Sequence, residues 1–217
     1  MISLSEILHT IAQALMIPCL IILLVLMAGA VWQIGDIVVE YIAERRKHKC
    51  DVPQLLRDVH TAGADGLADL IENSGLLRRQ KKALLELAES RGLPKDTLTA
   101  LAERLLATEE ARNARTTSIT DMIAKLGPMF GLLGTLIPLG PGIVALGQGD
   151  TVTLSESMNV AFDTTIAGVI SAAVASVISH IRKRWYNDDM VSLETLMEAV
   201  PVSYTHLRAH ETRSNIV

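Results

Sequence analysis

The stretch KLGPMFGLLGTLIPLGPGIVALGQGD runs from Lys125 to Asp150 and holds 24 uncharged residues between its two terminal charges. A helix needs about 20 predominantly apolar residues to cross a bilayer, so this stretch is long enough. The same stretch carries seven glycines and three prolines, which disfavour an isolated helix. The sequence therefore predicts a membrane span in which small residues have a packing or functional purpose.

The small residues of this span fall on one face when the segment is placed on a helix. Six of them lie within about 100° of arc, and Gly140 and Pro141 are exceptions. The face consists of Gly127, Gly131, Gly134, Thr135, Pro138 and Gly142. Small residues at this spacing let two helix backbones approach closely in lipid, so helix packing alone is one explanation.

A second small face is predicted in SMNVAFDTTIAGVISAAVASVIS, residues 157–179, which carries one charge, Asp163. The face consists of Ser157, Ala161, Thr164, Thr165, Gly168, Ala172, Ala175, Ser176 and Ser179. The two faces either pack on each other or line a narrow space in an oligomer. In the second case, their hydroxyl groups would support water and hydrogen bonds along a proton path.

The first span is predicted between Thr10 and Gly35, which contains no charge. Its amino-terminal flank, MISLSEILH, is not basic as a signal peptide would be, so we interpret the segment as a retained helix. Hydrophobic residues make up 49% of the 217-residue chain and aromatic residues only 3%. Apolar content in blocks of Leu, Ile, Val and Ala is typical of membrane helices.

Basic residues predict the orientation, because Lys and Arg concentrate at the cytoplasmic ends of spans. Arg45, Arg46, Lys47 and Lys49 follow the first span. Arg112, Arg115 and Lys125 precede the second span, and Arg182, Lys183 and Arg184 follow the third. The amino terminus is then outside and the carboxyl end cytoplasmic, in a multi-pass protein of the plasma (inner) membrane. Specific binding of anionic lipid by these clusters is the alternative.

The predicted organisation is an all-α membrane protein with three transmembrane helices and a helical cytoplasmic domain between the first and second. The predicted segments are 1–39, outside terminus and first span; 40–121, cytoplasmic domain; 122–149, second span; 150–155, outside loop; 156–181, third span; 182–201, cytoplasmic helix; and 202–217, tail. The helix that starts near Pro94 has no further Pro or Gly before Gly127, which predicts that it continues into the second span.

The tail, VSYTHLRAHETRSNIV, shows neither helical nor strand periodicity and resembles a translated sequencing adapter. His206 and His210 have an i,i+4 spacing suited to zinc, but both lie inside this suspect segment, and a disordered terminus is an equal alternative. Elsewhere the sequence shows no metal-ligand spacing, phosphate loop or nucleophile–base arrangement, and no basic face for nucleic acid. We therefore predict no enzyme activity, catalytic residue, metal or cofactor. Cys19 and Cys50 are expected to be separate, inert thiols.

Two motifs carry a family resemblance. GLLGTL, residues 131–136, and AFDTTIAG, residues 161–168, are similar to the MotA/TolQ/ExbB proton channel family. The similarity covers roughly Lys125 to Arg184, and three spans fit the TolQ/ExbB branch better than the four-span flagellar stator subunit. In that branch an acidic residue is common where Val160 stands, and a proline where Val174 stands.

The resemblance implies a pentamer around paired helices of a second, single-span protein that carries an intramembrane aspartate. Thr135 and Thr165 match the two pore threonines of the family, and the predicted proton pathway consists of these two and the adjacent Thr164. The partner helices are expected to pack on Gly127, Gly131, Gly134, Pro138, Gly142 and Gly168.

Asp163 has no counterpart in that branch and lies about 160° from Thr165 on the helix. We interpret Asp163 either as an intramembrane carboxylate that pairs across a subunit contact, with Gln13 as a candidate partner, or as an interfacial residue reaching water.

Two functions remain open from the sequence. The chain is either the proton- or sodium-conducting subunit of a membrane motor that drives transport or envelope maintenance, or a non-conducting oligomeric scaffold that binds a cytoplasmic partner.

Overall fold

The structure is a computed structural model that describes the backbone of residues 4–45, 51–90 and 92–214. The side chains of residues 5, 9, 44, 45, 59–65 and 200–214 are outside the description. Several predicted features therefore lie outside the described residues or side chains, namely Arg45, Arg46, Lys47, Lys49, Cys50, His206 and His210.

The described residues form helices and connecting turns, which confirms the all-α prediction. The elements are α1 (Leu4–Ala14), α2 (Met16–Glu40), a π-helical turn (Tyr41–Arg45), α3 (Val52–Asn73), α4 (Arg78–Glu89), α5 (Lys95–Gly147) and α6 (Thr151–Ser214). Three segments are long and apolar enough to cross a membrane, Glu6–Ala43, Lys95–Gly147 and Thr151–Ala199. Helix α5 has 53 residues without a break, as predicted for the segment that follows Pro94.

Helix α5 ends in a tight turn because Gly149 adopts the left-handed conformation, with φ of 77°. The amide of Asp150 donates to the carbonyl of Ala145 at 2.9 Å, and the amide of Gly149 donates to that of Leu146 at 3.1 Å. This is the hydrogen-bond pattern of a Schellman motif. Helix α6 begins at Thr151, within the 150–155 segment predicted to lie outside the membrane.

Asp150 caps the first turn of α6. Its Oδ1 accepts from the amides of Val152 and Thr153, each at 3.1 Å, and its Oδ2 accepts from the Thr153 hydroxyl at 2.6 Å. The Thr153 hydroxyl and these amides hold the pKa of the Asp150 carboxyl below its usual range. The cap satisfies amide groups that would otherwise lack a partner at the helix start.

The chain divides into two compact units. The membrane unit comprises Met1–Ile37 and Thr116–Arg182, and the second unit comprises Val38–Arg115 and Lys183–Val217. In the membrane unit, α2 packs on α5 and α6 through two small apolar clusters. One contains Leu26, Ala30, Ile123 and Ala175, and the other contains Cys19, Leu23 and Ile137. Its other large apolar side chains are mostly exposed, as expected for a surface that faces lipid.

The second unit has a conventional apolar core. It is built from Leu55, Leu67, Ile71, Leu76, Ala83, Leu84, Leu87, Ala88, Leu98, Ala102, Leu193, Leu196 and Met197. Gln80 is buried beside this core, where its Oε1 accepts from the Leu77 amide and its Nε2 donates to the Asp189 carbonyl. Tyr41 and Trp185 stack with ring centroids 6.1 Å apart.

The carboxyl-terminal segment continues helix α6. The backbone is helical to Ser214, although residues 202–214 show no helical periodicity in the sequence. The adapter origin of this segment stays a prediction.

Candidate functional site

The two small faces predicted from the sequence pack on each other within the chain. A β-carbon built on Gly127 would lie 2.7 Å from the Gly168 carbonyl oxygen, and one built on Gly134 would lie 2.7 Å from the Thr164 β-carbon. At the far end, a β-carbon on Gly142 would lie 3.1 Å from the Ser157 β-carbon. The glycines therefore allow α5 and α6 to approach to backbone contact.

This packing explains why a membrane-length helix carries so many glycines. Gly127, Gly131, Gly134 and Gly142 are all buried against α6, and Pro138 is buried on the same face. Gly140, which the sequence placed off the face, has no atom within 4 Å of its built β-carbon. Packing of partner helices on these same glycines stays a prediction.

Thr135 and Thr165 lie beside this interface and are half-buried. The Thr135 hydroxyl donates to the Leu132 carbonyl at 2.6 Å, and the Thr165 hydroxyl donates to the Ala161 carbonyl at 3.0 Å. Each oxygen then retains its capacity to accept a hydrogen bond. Because Gly134 contacts Thr164, the two half-buried threonines lie at nearly the same level along the helix axes.

Thr164 occupies a different position from its neighbour Thr165. It is 5% exposed, lies directly against Gly134, and its hydroxyl is 2.9 Å from the carbonyls of Val160 and Ala161. Its hydroxyl is therefore satisfied within its own helix. Thr135 and Thr165 lie half-buried beside the interface at nearly the same level, whereas Thr164 lies inside it.

Asp163 is exposed on α6 and faces neither α5 nor α2 in this chain. Among the described residues it forms no hydrogen bond or ion pair, with Gln13, its predicted candidate partner, included; Gln13 is half-buried. Helical rise places Asp163 about 10 Å along α6 from residue 156, the predicted outer end of the third span. Carboxyl groups within membrane spans generally pair or are functional.

The structure also contains a charged group that sequence reasoning treated only as a topology marker. Arg182 is 1% exposed, and its guanidinium donates to Gln33 Oε1 at 2.7 Å and to Asp36 Oδ2 at 2.5 Å. These bonds join α6 to α2. Two features of the sequence indicated this contact. Arg182 continues the small face of α6 seven residues after Ala175, and Gln33 is a polar residue within the first span.

Further polar groups lie near this end of the membrane unit. The Ser179 hydroxyl donates to Asp121 Oδ1, which joins α6 to α5. Thr120 is fully buried, and its hydroxyl oxygen has no hydrogen-bond partner among the described residues. No group of three or more potential metal ligands occurs in the part of the chain that the structure describes.

Comparison with known proteins gives one positive finding. The sequence model of the MotA/TolQ/ExbB proton channel family matches residues 70–195, more than half of the chain. A comparison with curated proteins found no match. The matched range includes both threonine motifs, the α5–α6 interface and most of the core of the second unit. The chain is therefore a multi-pass membrane protein that belongs to the MotA/TolQ/ExbB proton channel family.

Proposed function

We propose that this chain is the ion-conducting subunit of a membrane motor that couples the proton-motive force to work outside the membrane. In this proposal it acts as a pentamer around a single-span partner protein with an intramembrane aspartate. Three candidate spans favour the TolQ/ExbB-like branch. The placement of basic residues supports an inner-membrane orientation with the amino terminus outside and the second unit in the cytoplasm.

The observation that carries the proposal is the position of the threonine pair. Thr135 and Thr165 lie level with each other at the accessible edge of a tightly packed helix pair, and they stand in the two motifs that resemble the pore motifs of the family. A hydroxyl on an otherwise apolar surface offers a hydrogen-bond acceptor to water or to a protonated carboxyl. A partner helix with an aspartate at this depth would meet both groups.

The glycine contacts give the pair its position. A β-carbon built on Gly131 would lie 3.7 Å from the Thr165 Cα. The α5 backbone is therefore in contact with the part of the α6 backbone that carries this threonine. Close contact keeps the two hydroxyls at one level and excludes water from the interface itself. Ion passage is then directed to the outer edge, where Thr135 and Thr165 lie, rather than between α5 and α6.

We expect Thr135→Val and Thr165→Val each to reduce partner-dependent proton flux about tenfold or more while leaving assembly intact. Valine nearly keeps the shape of threonine but removes the hydroxyl, so water and the protonated carboxyl of the partner lose a hydrogen-bond acceptor at this depth. The electrical driving force is only about 2.3 kcal/mol per charge for each 100 mV, so a small added barrier slows the cycle. The measurement is proton uptake into liposomes that contain the chain and its partner, with the oligomeric state determined by native mass spectrometry.

Two further variants make this experiment specific. Thr195→Val removes an exposed hydroxyl that likewise donates to a carbonyl of its own helix, and it should not change flux. Thr164→Val tests the buried member of the predicted pathway; a loss of flux there without a loss of assembly would extend the pathway into the helix interface. Wild-type flux in both Thr135→Val and Thr165→Val would refute conduction and favour the non-conducting scaffold.

We expect Asp163→Asn to reduce either assembly or ion-driven activity. Asparagine keeps the size of the side chain but cannot ionise, so any ion pair or proton exchange by Asp163 is lost. Placing an ionised Asp at the centre of a membrane helix costs about 2.5–3.5 kcal/mol. The cost is smaller for Asp163, which lies nearer the predicted outer end of its span, and it is avoided if Asp163 pairs across a subunit contact or stays protonated. The assay pairs native mass spectrometry with liposome flux, and Asp188→Asn, an exposed carboxyl of α6 in the second unit, is the control. If Asp163→Asn matches the wild type in both, Asp163 is an interfacial residue that reaches water.

A further inference from the structure

One end of the membrane unit carries a layer of polar side chains from all three long helices. The layer consists of Gln33 and Asp36 from α2, Thr117, Thr120 and Asp121 from α5, and Ser179 and Arg182 from α6. It lies next to the apolar cluster of Leu26, Ala30, Ile123 and Ala175. Buried polar groups in proteins are normally hydrogen-bonded, so each member of this layer should have a partner.

One buried group in the layer, the Thr120 hydroxyl, has no partner among the described residues. Gln33 is 8% exposed, and because Arg182 can only donate, the oxygen of the Gln33 amide must face Arg182. The Gln33 amide nitrogen is thereby directed away from Arg182, and it is a second polar group that a bridging partner of Thr120 can reach.

Both groups lie at the same level of the unit. Helices α2 and α5 run antiparallel. The Cys19 thiol of α2 donates to the Phe130 carbonyl of α5. Gly29 comes later in α2, and its built β-carbon lies 3.2 Å from Ile123, which comes earlier in α5. One helical turn beyond Gly29 in α2 is Gln33, and one turn before Ile123 in α5 is Thr120. Continuing the antiparallel pairing by one turn therefore places Gln33 opposite Thr120.

We infer that a buried water molecule bridges the Thr120 hydroxyl of α5 and the Gln33 amide of α2. Gln33 donates to the water through its amide nitrogen and accepts from Arg182 through its oxygen. The water supplies the missing partner of the Thr120 hydroxyl. Buried waters typically make about three hydrogen bonds to such groups. The network then runs from Arg182 through Gln33 and the water to Thr120, and it joins all three long helices of the membrane unit.

The sign of a stability change tests this inference. If Thr120 is bonded to water, Thr120→Val removes the bridge, leaves the Gln33 amide without a partner, and decreases the folded-to-unfolded ratio about fivefold or more. If the hydroxyl is simply unpaired, valine removes a buried unsatisfied group and the ratio stays level or rises. Thr120→Ser keeps the hydroxyl and should stay near the wild type. Ser171→Ala is the control, because that buried hydroxyl bonds to its own helix at 2.7 Å.

A direct probe of the water is hydroxyl-radical labelling by brief X-ray exposure of the full chain in lipid nanodiscs, since bound water produces radicals in place. Ile123 is next to Thr120 on α5 and 5% exposed, whereas Ile137 on the same helix is 7% exposed in an apolar cluster. We expect Ile123 to be labelled several times faster than Ile137 in the wild type and in Thr120→Ser, and at an equal rate in Thr120→Val. Equal labelling of Ile123 and Ile137 in the wild type overturns the inference, whether or not the valine variant folds.

Discussion

Gly168→Ala is expected to lower the free energy of unfolding of the membrane unit by about 2–3 kcal/mol, the upper part of the range of about 1–3 kcal/mol that overpacking typically costs. A β-carbon at position 168 would lie 2.5 Å from the Gly127 carbonyl oxygen and 2.8 Å from the Gly131 Cα. Ordinary contacts between carbon atoms lie at about 3.5–4.0 Å. Both neighbouring atoms belong to the α5 backbone, so no side-chain rotation relieves the clash and the helices must separate.

Separation at this point weakens contacts on both sides of it. The row from Gly127 to Gly142 packs on α6 as a continuous interface, and a helix displaced at Gly168 cannot keep the Gly134–Thr164 contact unchanged. The midpoint of SDS-induced unfolding of the full chain in detergent reports the loss. We also expect lower proton flux, because Thr135 and Thr165 would no longer lie level with each other.

The chain provides a matched control for this substitution. Gly35 lies in the α2 span of the same unit, and its built β-carbon has no atom within 4 Å. Gly35→Ala should be neutral or stabilising by up to about 1 kcal/mol, since alanine has the higher helix propensity. Equal destabilisation by Gly168→Ala and Gly35→Ala would show that the effect comes from glycine flexibility and not from the contact between the helices.

Asp36→Ala is the second substitution with a large expected effect. It removes the carboxylate that pairs with the guanidinium of Arg182, which is 1% exposed. Removing one partner of a buried ion pair costs about 3–5 kcal/mol, because the remaining charge stays buried. The Asp36 side chain is 53% exposed, so water partly replaces it and we expect the lower value of about 2–3 kcal/mol.

A double variant separates the buried charge from the lost contact. Adding Arg182→Met to Asp36→Ala removes the uncompensated guanidinium, so the double variant should be more stable than Asp36→Ala alone. Glu109→Ala is the control, because it breaks a pair with Arg112 at 3.6 Å in which the Arg112 side chain is 59% exposed. Such a pair contributes about 0–1 kcal/mol. If Asp36→Ala costs no more than Glu109→Ala, the Arg182 bonds do not stabilise the membrane unit.

Local sequence patterns were sufficient to predict the helices and the family. Apolar runs with at most one charge predicted three membrane-length helices, and the described residues contain three segments that meet this description. The absence of Pro and Gly between Pro94 and Gly127 predicted a continuous helix, which is α5. Helix formation depends on neighbours within a few turns, and such neighbours are visible in the sequence. The segment after residue 201 is the exception, because its helical backbone has no matching apolar period.

The sequence by itself determined that two helices of this chain each present a small-residue face, since helical spacing alone defines a face. Only the tertiary structure decided that these faces meet each other, because periodicity does not name the surface that covers a face. For the same reason, the sequence did not distinguish the burial of Thr164 from that of Thr165. These adjacent residues lie about 100° apart on α6. Thr164 is buried against Gly134, whereas Thr165 is half-buried. The same limit explains Arg182 as well: its charge was visible, but its burial depends on Gln33 and Asp36, which are distant in the chain and adjacent only after α2 packs on α6.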